Sequence, residues 1–329
     1  MSNFKVLMTD SIFPDQEKER AMLEEIGAEL LLSDSQDPAQ LAKLAKDCDA
    51  IIVTFAEVTR EVISACEKCK VIVRTGIGVN NVDVKAATEK GIIVANVLNY
   101  CIPEVADHAM ALMLASLRKI IVYNKVVRCG VWDMNQGSIS RIGSLTLGLY
   151  GFGNISREVA LRAKAFGMKV VAYDPFLEDS IFEEYGIERK VDLEEFIQSA
   201  DVLSLHLGLN EHTYQIINKK TFELMKESAI LVNVSRGGLV NEDDLLYAIE
   251  NNLIAGCALD VMADEPGDMH SRLLTYKNVI VTPHAAFYSE ESNEELRTKA
   301  TEQVLQTLTK GYPEFWVNKK ELETKGERK

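Results

Sequence analysis

The sequence contains no apolar run long enough to cross a membrane. Its 329 residues are 47% apolar, as in soluble globular proteins, whereas a membrane-spanning helix needs roughly 18 or more consecutive apolar residues. The opening stretch, MSNFKVLMTDSIFPDQEKER, carries charge too early for a secretory signal peptide. These absences predict a cytoplasmic protein with no membrane partner.

An excess of positive charge is also lacking. Lys and Arg number 36 against 50 Asp and Glu, which gives a net charge of −14. Because a nucleic-acid surface needs clustered cations, we expect no nucleic-acid partner. The C-terminal KKELETKGERK is mixed in sign, and we interpret it as a solvated tail.

Cysteine is sparse and irregularly spaced. Cys66-Glu-Lys-Cys69 is a CxxC pair, but it ends a predicted helix and no second pair accompanies it. We therefore expect reduced structural thiols and no metal site, the alternative being a redox or metal-binding role for this pair. The six cysteines are Cys48, Cys66, Cys69, Cys101, Cys129 and Cys257.

What the chain has instead is strand and helix patterns that alternate from end to end, which is typical of parallel sheets covered by helices. Its length exceeds one ordinary core and predicts two domains. In the first hundred residues, strands are predicted near 4–9, 28–33, 50–55, 71–75 and 92–97, and helices near 15–26, 37–47, 59–68 and 83–90. This block forms a complete small α/β domain.

A second series of strands follows a long predicted helix that opens at Pro103, PEVADHAMALMLASLRKI. Proline is tolerated in the first turn of a helix. One more helix, at about Ser289–Gly311, follows the strands, and the pattern leaves open which domain it belongs to. The strands are predicted near 145–150, 169–173, 202–206, 230–234, 256–261 and 278–282.

The first strand of this second series runs into a glycine-rich turn, Gly151-Phe152-Gly153-Asn154-Ile155-Ser156. Gly151 permits the tight turn, and Gly153 lets the backbone approach a pyrophosphate at the N-terminus of the helix predicted over 156–166. Ser156 replaces the usual Gly or Ala but is small enough for close helix–strand packing.

A carboxylate, Asp174, ends the next predicted strand. It can accept hydrogen bonds from both ribose hydroxyls of NAD, and it would repel the phosphate of NADP. The order of strand, glycines, helix, strand and acid predicts an NAD site. The alternative interpretation is a tight turn without a ligand.

Three later strands of the series end in chemically distinctive residues: Arg236, Glu265 and His284. In a doubly wound sheet, ligands bind outside the carboxyl ends of the strands. An arginine can clamp a carboxylate with two hydrogen bonds, and a histidine can pass a proton to a substrate oxygen. A carboxylate beside the histidine holds its ring and favours the protonated form. Together they predict a 2-hydroxy acid dehydrogenase, although each taken singly has a structural interpretation, as a helix cap, a solvated acid or a turn histidine.

These stretches resemble the D-isomer-specific 2-hydroxyacid dehydrogenase family over nearly the whole chain. Family motifs match at Arg74–Asp83, Gly151–Asp174, Ser235–Gly238, Asp260–Pro266 and Thr282–His284. Within the family the sequence is most similar to the dehydrogenase core of the C-terminal binding proteins. The stretches that carry this likeness are VALRAKAFGMKVVAYDPFL, HLGLNEH, LVNVSRGGLV and TPHAAFYSE.

The resemblance implies an α/β protein with two doubly wound parallel-sheet domains. A Rossmann NAD-binding domain, residues 103–288, would be inserted into a flavodoxin-like substrate domain made of residues 1–102 and a helix returning within 289–329. It also implies a homodimer built through the NAD-binding domain. The apolar run Ala109–Leu117 suits such a surface, although a core helix would look the same.

The resemblance also implies roles for individual residues. Arg236 would orient the substrate, Glu265 would be the acid partner and His284 the proton donor, while Asp260 would hold the nicotinamide amide. The substrate carboxylate would bind the loop with Ile77 and Gly78, with Arg74 just before it and Phe287 at the acyl pocket. Further cofactor contacts are implied for Leu207, Gly208, Thr213, Val234, Ser235, Arg236 and His284.

Departures from the family patterns bear on the substrate. Gly208 stands where many members have Pro, and Phe287 stands where the C-terminal binding proteins have Trp. The basic residue that phosphoglycerate dehydrogenases carry after the third strand is replaced by Val53-Thr54-Phe55. We predict a 2-keto acid reductase that uses a small 2-keto or 2-hydroxy acid, with 3-phosphoglycerate as the alternative substrate. The alternative function is an NADH-sensing, corepressor-like interaction protein.

Overall fold

The computed structural model describes residues 4–326, which form two compact units. Residues 4–100 with 289–326 make up unit 1, and residues 101–288 make up unit 2. Each unit contains one sheet in which every strand pairing is parallel. The predicted fold class, two parallel-sheet α/β domains, is confirmed.

The sheet of unit 1 has the strand order β2-β1-β3-β4-β5, the doubly wound order of flavodoxin-like domains. Its strands are β1 (Phe4–Met8), β2 (Ala28–Leu32), β3 (Ala50–Val53), β4 (Val71–Arg74) and β5 (Ile93–Asn96). Helices α1 (Glu17–Glu24), α2 (Pro38–Ala45), α3 (Arg60–Ala65) and α4 (Val84–Lys90) connect them. Because helices cover both faces of such a sheet, its central strands are apolar runs without alternation, and β3 is buried throughout.

The C-terminal segment belongs to unit 1. Helix α12 (Glu290–Lys310) packs against β4, β3 and α1, and Arg297 on it bonds to the buried carboxylate of Glu19 at 2.6 and 2.9 Å. Asn318 accepts a hydrogen bond from Val94 N on β5 at 2.9 Å. The predicted solvated tail is in fact helical over α13 (Lys319–Gly326), and its last three residues lie outside the described range.

The sheet of unit 2 has the order β12-β11-β10-β9-β6-β7-β8. From β6 the strand order runs outward to β7 and β8 and then resumes on the other side of β6 at β9, and this topological switch point is where doubly wound sheets bind ligands. The strands are β6 (Thr146–Tyr150), β7 (Lys169–Tyr173), β8 (Glu188–Arg189), β9 (Val202–Leu205), β10 (Ile230–Asn233), β11 (Gly256–Leu259) and β12 (Val279–Val281). The helices are α5 (Ile102–Leu117), α6 (Ile120–Arg128), α7 (Asn154–Ala165), α8 (Asp179–Tyr185), α9 (Leu193–Ser199), α10 (Lys219–Leu224) and α11 (Glu242–Glu250).

Helix α5 is a core helix of unit 2. It packs against β10, β11 and α7, and Ala109, Met110, Leu112 and Met113 are all buried. The first half of the apolar run that suited a dimer surface is therefore covered by its own unit, whereas Ala111 is exposed and the residues at 114–117 are only partly buried. The predicted helix ends at Leu117, because Lys119 takes a left-handed conformation, with φ 54°, and α6 starts just after it. Among residues 4–326, no helix is both long and apolar enough to span a membrane.

Candidate active site

The glycine-rich turn lies at the switch point, between β6 and α7. Gly151 has φ +87°, and a Cβ there would lie 2.6 Å from the His206 carbonyl oxygen, so a side chain is excluded. A Cβ on Gly153, the N-cap of α7, would meet nothing within 4 Å. The helix N-terminus is therefore open to an anionic group, as a bound pyrophosphate requires.

Asp174 follows β7, beside this turn. Its Oδ2 accepts a hydrogen bond from Phe152 N at 3.0 Å, and its Oδ1 accepts one from Phe176 N at 3.0 Å. Because each carboxylate oxygen has two lone pairs, both oxygens keep acceptor capacity for ribose hydroxyls. Phe152 is fully buried and stacks on Phe182 with 5.1 Å between ring centroids, which fixes the backbone that orients the carboxylate.

The loop after β9 contains Leu207, Gly208 and Thr213. The Thr213 hydroxyl donates to the Gly208 carbonyl at 2.7 Å and accepts from Asn210 N at 2.8 Å, so the loop is closed on itself. His206, which precedes it, is buried, and burial lowers the pKa of its ring to about 4. His206 is therefore neutral at physiological pH and is a structural residue.

Val234, Ser235 and Arg236 follow β10. The Ser235 hydroxyl donates to the Leu205 carbonyl at 2.7 Å and ties this loop to the end of β9. A Cβ on Gly237 would overlap the Met262 carbonyl, so the loops after β10 and β11 lie in direct contact. This approach places the Arg236 backbone beside the loop that contains Glu265.

His284 and Glu265 form a close pair. His284 Nδ1 lies 2.6 Å from Glu265 Oε2, and both side chains are partly exposed, at 36% and 38%. Burial raises the pKa of Glu265, but the hydrogen bond and charge of His284, with smaller contributions from Met262 N–H and Arg236, outweigh it and leave that pKa below its ordinary value. Since Nδ1 faces the carboxylate, Nε2 is the nitrogen that can exchange a proton with a bound molecule.

Asp260 and Phe287 flank this pair. Asp260 is 1% exposed, and its carboxylate accepts from Ala285 N and Ala286 N, both at 2.9 Å. The ring of Phe287 is edge-on to that of His284, with 6.3 Å between centroids. Sequence reasoning missed His108 on α5, whose Nε2 lies 2.9 Å from the hydroxyl of Thr282 in this network. The one available signal was a histidine at a polar position of an apolar helix.

The remaining candidate residues, Arg74, Ile77 and Gly78, lie in unit 1 at the end of β4. The guanidinium of Arg74 covers Gly76, where any Cβ would overlap it. The Ile77 carbonyl accepts from Asn96 Nδ2 at 2.6 Å, which anchors this loop to β5. The structure thus groups Arg236, Glu265, His284, Asp260 and Phe287 in unit 2 and holds the Arg74–Gly78 loop separately in unit 1.

The CxxC pair lies in unit 1, after α3. A hydrogen bond between the two thiols lowers the pKa of Cys66 and raises that of Cys69. All six cysteines are unbridged. Within the described part of the chain, no group of three or more His, Cys, Asp or Glu side chains is arranged to hold a metal ion.

Residues 110–286 match the family model described as the D-isomer specific 2-hydroxyacid dehydrogenase, NAD binding domain. This match confirms the predicted NAD cofactor and fits the open helix N-terminus and the Asp174 carboxylate. The closer likeness to the C-terminal binding proteins stays a prediction.

Curated relatives of this chain are named as dehydrogenases or reductases. A D-3-phosphoglycerate dehydrogenase of Methanocaldococcus jannaschii is 39% identical over 95% of this chain and 59% of its own length. A hydroxypyruvate reductase of Thermotoga maritima is 35% identical over 94% of this chain and 99% of its own length. The chain thus spans less than two thirds of the phosphoglycerate dehydrogenase but nearly all of the reductase.

Solved structures with a similar fold cover nearly the whole chain. A glyoxylate reductase from Paecilomyes thermophila has a TM-score of 0.88 at 28% identity and covers 97% of this chain and 100% of its own. A D-lactate dehydrogenase from Aquifex aeolicus, complexed with NAD and lactic acid, has a TM-score of 0.82 at 27% identity over 93% of this chain and 96% of its own. With a matching model over more than half its length and relatives above 30% identity, the chain belongs to the D-isomer-specific 2-hydroxyacid dehydrogenase family.

Proposed function

We propose that the protein is an NAD-dependent D-2-hydroxy acid dehydrogenase that acts as a 2-keto acid reductase. The observation that carries this proposal is the 2.6 Å contact between His284 and Glu265, beside Arg236, in the unit with the NAD fingerprint. A histidine paired with a carboxylate can act as a general acid that protonates a substrate oxygen. Family membership supports the same reaction class.

When bound, NADH supplies the hydride that reduces C2 of the keto acid. The Arg236 guanidinium binds the substrate carboxylate and orients the carbonyl oxygen. His284 donates a proton from Nε2 to that oxygen, and Glu265 holds the ring through Nδ1 and stabilises its protonated form. Because the lowered pKa of Glu265 keeps the carboxylate ionised at neutral pH, the ring retains an anionic partner throughout the physiological range.

The cofactor roles are part of this proposal. The turn at Gly151–Ile155 binds the pyrophosphate, Asp174 accepts from the ribose hydroxyls, and the loops with Leu207–Thr213 and Val234–Arg236 line the rest of the site. Asp260 holds the nicotinamide amide. Residues 103–288 act as the NAD-binding domain, inserted into a substrate domain made of residues 1–102 and 289–329. The loop with Arg74, Ile77 and Gly78 binds the substrate carboxylate, and Phe287 shapes the acyl pocket.

3-Phosphoglycerate is a second candidate substrate, because the relative from Methanocaldococcus jannaschii carries the name of that activity. The side chain of Phe55, 57% exposed after β3, argues for an unphosphorylated acid instead. Its neighbour Glu57, also exposed, would repel a phosphate.

A homodimer through the NAD-binding domain and a cytoplasmic location complete the proposal. Support for the dimer comes from α6 and the loop after it, because none of the α6 residues is buried, and from the end of α5, where residues 114–117 are only partly buried. The Trp132 side chain in that loop is 90% exposed. Light scattering on the purified protein measures the mass directly.

A spectrophotometric panel of 2-keto acids and 3-phosphohydroxypyruvate, with NADH and NADPH in parallel, tests the function. We expect turnover of at least one keto acid, and loss of about 100-fold or more of kcat in His284→Ala, far more than any loss of NADH affinity. Tight NADH binding without turnover of any acid would refute the enzyme and favour the NADH-sensing interaction protein.

A further inference from the structure

His284 has a backbone conformation that residues with a side chain rarely adopt. Its φ is +52°, in the left-handed region where a Cβ crowds the carbonyl oxygen. Such a conformation costs about 1 to 3 kcal/mol and persists where neighbouring groups determine it. The groups that hold this turn therefore decide where the His284 ring points.

Asp260 holds the turn through three successive N–H groups. Its carbonyl oxygen accepts from His284 N at 2.8 Å. Its carboxylate oxygens accept from the next two residues, Oδ1 from Ala285 N and Oδ2 from Ala286 N, both at 2.9 Å. One buried aspartate thus fixes the backbone on the C-terminal side of the catalytic candidate.

A second layer of hydrogen bonds holds Asp260 itself. The hydroxyl of Thr282 donates to Asp260 Oδ1 at 2.6 Å. That hydroxyl has a single proton, so the contact between its oxygen and His108 Nε2, at 2.9 Å, requires His108 to donate. His108 therefore donates a hydrogen bond to Thr282, and Thr282 donates one to Asp260.

The first donor of this chain stands on a rigid support. His108 lies in the middle of α5, and its neighbours Ala109 and Met110 are buried against the sheet. The His108 Nε2 atom is also 3.4 Å from Asp260 Oδ1, so the N–H group faces the carboxylate as well as the hydroxyl. Its side chain is 24% exposed, which leaves most of the ring packed in place.

We propose that His108 is a positioning residue for the proton-transfer histidine. Through Thr282 and Asp260, its Nε2–H group fixes the left-handed turn that presents His284 to Glu265 and to the substrate. This inference rests on the proposed reductase function for its effect on turnover, but its effect on the turn does not depend on any activity.

The kinetic test compares His108→Leu, which removes the donor, with His108→Gln, whose side-chain amide restores an N–H group. We expect kcat to fall roughly tenfold in His108→Leu, in line with the loss of a buried hydrogen bond, and NADH affinity in a fluorescence titration to fall less than kcat. His108→Gln should recover most of the lost kcat. His270→Leu, at an exposed position, is the matched control and should behave as wild type.

A second arm uses Thr282→Val, an isosteric change that removes the middle hydroxyl. Because His108 acts through Thr282, the two losses should not add. The double variant His108→Leu/Thr282→Val should have the same kcat as the less active of the two single variants. Thr282→Ser should restore activity. Additive losses, or a His108→Gln variant as weak as His108→Leu, would overturn the positioning role and leave a merely structural one.

The third arm needs no substrate. Hydrogen–deuterium exchange of the protein without cofactor should show about tenfold faster exchange at residues 284–286 in His108→Leu, with unchanged exchange in α7 and β6. Unchanged exchange at this turn would refute the inference. If wild-type protein reduces no keto acid but exchange still responds to His108, the proposed function fails and the positioning role stands.

Discussion

Both units use a strand-end aspartate to capture the loop beside it, but the two loops present different side chains. In unit 1, Asp10 follows β1, and its carboxylate accepts from Thr54, Phe55 and Ala56 N at 3.0, 2.6 and 3.3 Å. In unit 2, Asp260 follows β11 and captures the backbone after β12. In each case the aspartate and its loop lie on paired neighbouring strands.

The likeness extends to the hydroxyl beside each carboxylate. Thr9 donates to Asp10 Oδ1 at 2.7 Å, and Thr282 donates to Asp260 Oδ1 at 2.6 Å. The difference lies in what is held: an exposed apolar Phe55 in one unit, and the left-handed, titratable His284 in the other. The same local arrangement therefore holds an exposed loop in one unit and the proposed proton donor in the other.

Removing each carboxylate in turn tests most directly whether the two aspartates have different roles. In Asp260→Ala we expect kcat to fall by about 100-fold, because the turn loses its acceptors and a misplacement of about 1 Å at a reacting group can cost about that much. In Asp10→Ala we expect a loss of about 2 kcal/mol in the free energy of unfolding, from hydrogen bonds worth about 1 kcal/mol each.

Steady-state kinetics and urea denaturation on both variants provide the measurements. Asp10→Asn and Asp260→Asn, which keep an acceptor oxygen, serve as controls and should lie between wild type and the alanine variants. An Asp260→Ala protein that is folded and keeps its kcat would show that the two aspartates are equivalent after all.

The comparison also shows what a sequence can predict. All strands except β8 were predictable to within a residue or two, because burial on both faces makes most of them apolar runs. The proximity of Arg236, Glu265 and His284 was predictable because the carboxyl ends of parallel strands lie at one edge, while their roles stay a prediction. The left-handed backbone at Lys119 and His284 had no glycine to mark it, so the break before α6 and the strained turn were missed.

Contacts between residues far apart in the sequence could not be predicted for a different reason. His108 and Thr282 are 174 residues apart, and their hydrogen bond follows from how α5 packs on β10 and β11. The two-residue β8 is shorter than any periodicity can indicate. The helix α13 was missed because its mixed charges are equally typical of a solvated tail.

A smaller effect should distinguish the two nucleotides. In Asp174→Ala we expect the preference for NADH over NADPH, measured as the ratio of kcat/KM values, to fall by about tenfold, because the carboxylate no longer repels the 2′-phosphate. Asp174→Glu, which keeps the charge, is the control and should retain the preference. Equal use of NADPH by wild-type protein would contradict the role proposed for Asp174.

The smallest effect is on the pH dependence of stability, and it is measured by comparing wild type with the uncharged variant Glu265→Gln. The pKa of Glu265 lies below its ordinary value, so its ionised form stabilises the folded state above that ordinary value. This contribution should disappear as the pH falls through the lowered pKa. Glu265→Gln should therefore be less stable than wild type at pH 7, and the difference should vanish in acid.

Thermal unfolding of both proteins across this pH range measures the difference. Glu211→Gln, at a position 86% exposed, is the matched control and should track wild type at every pH. The same Glu265→Gln variant should also have a lower reductive kcat than wild type, because the Nδ1 side of the His284 ring has lost its anionic partner. A stability difference that is constant with pH would mean that packing, not the charge of Glu265, holds this loop of unit 2.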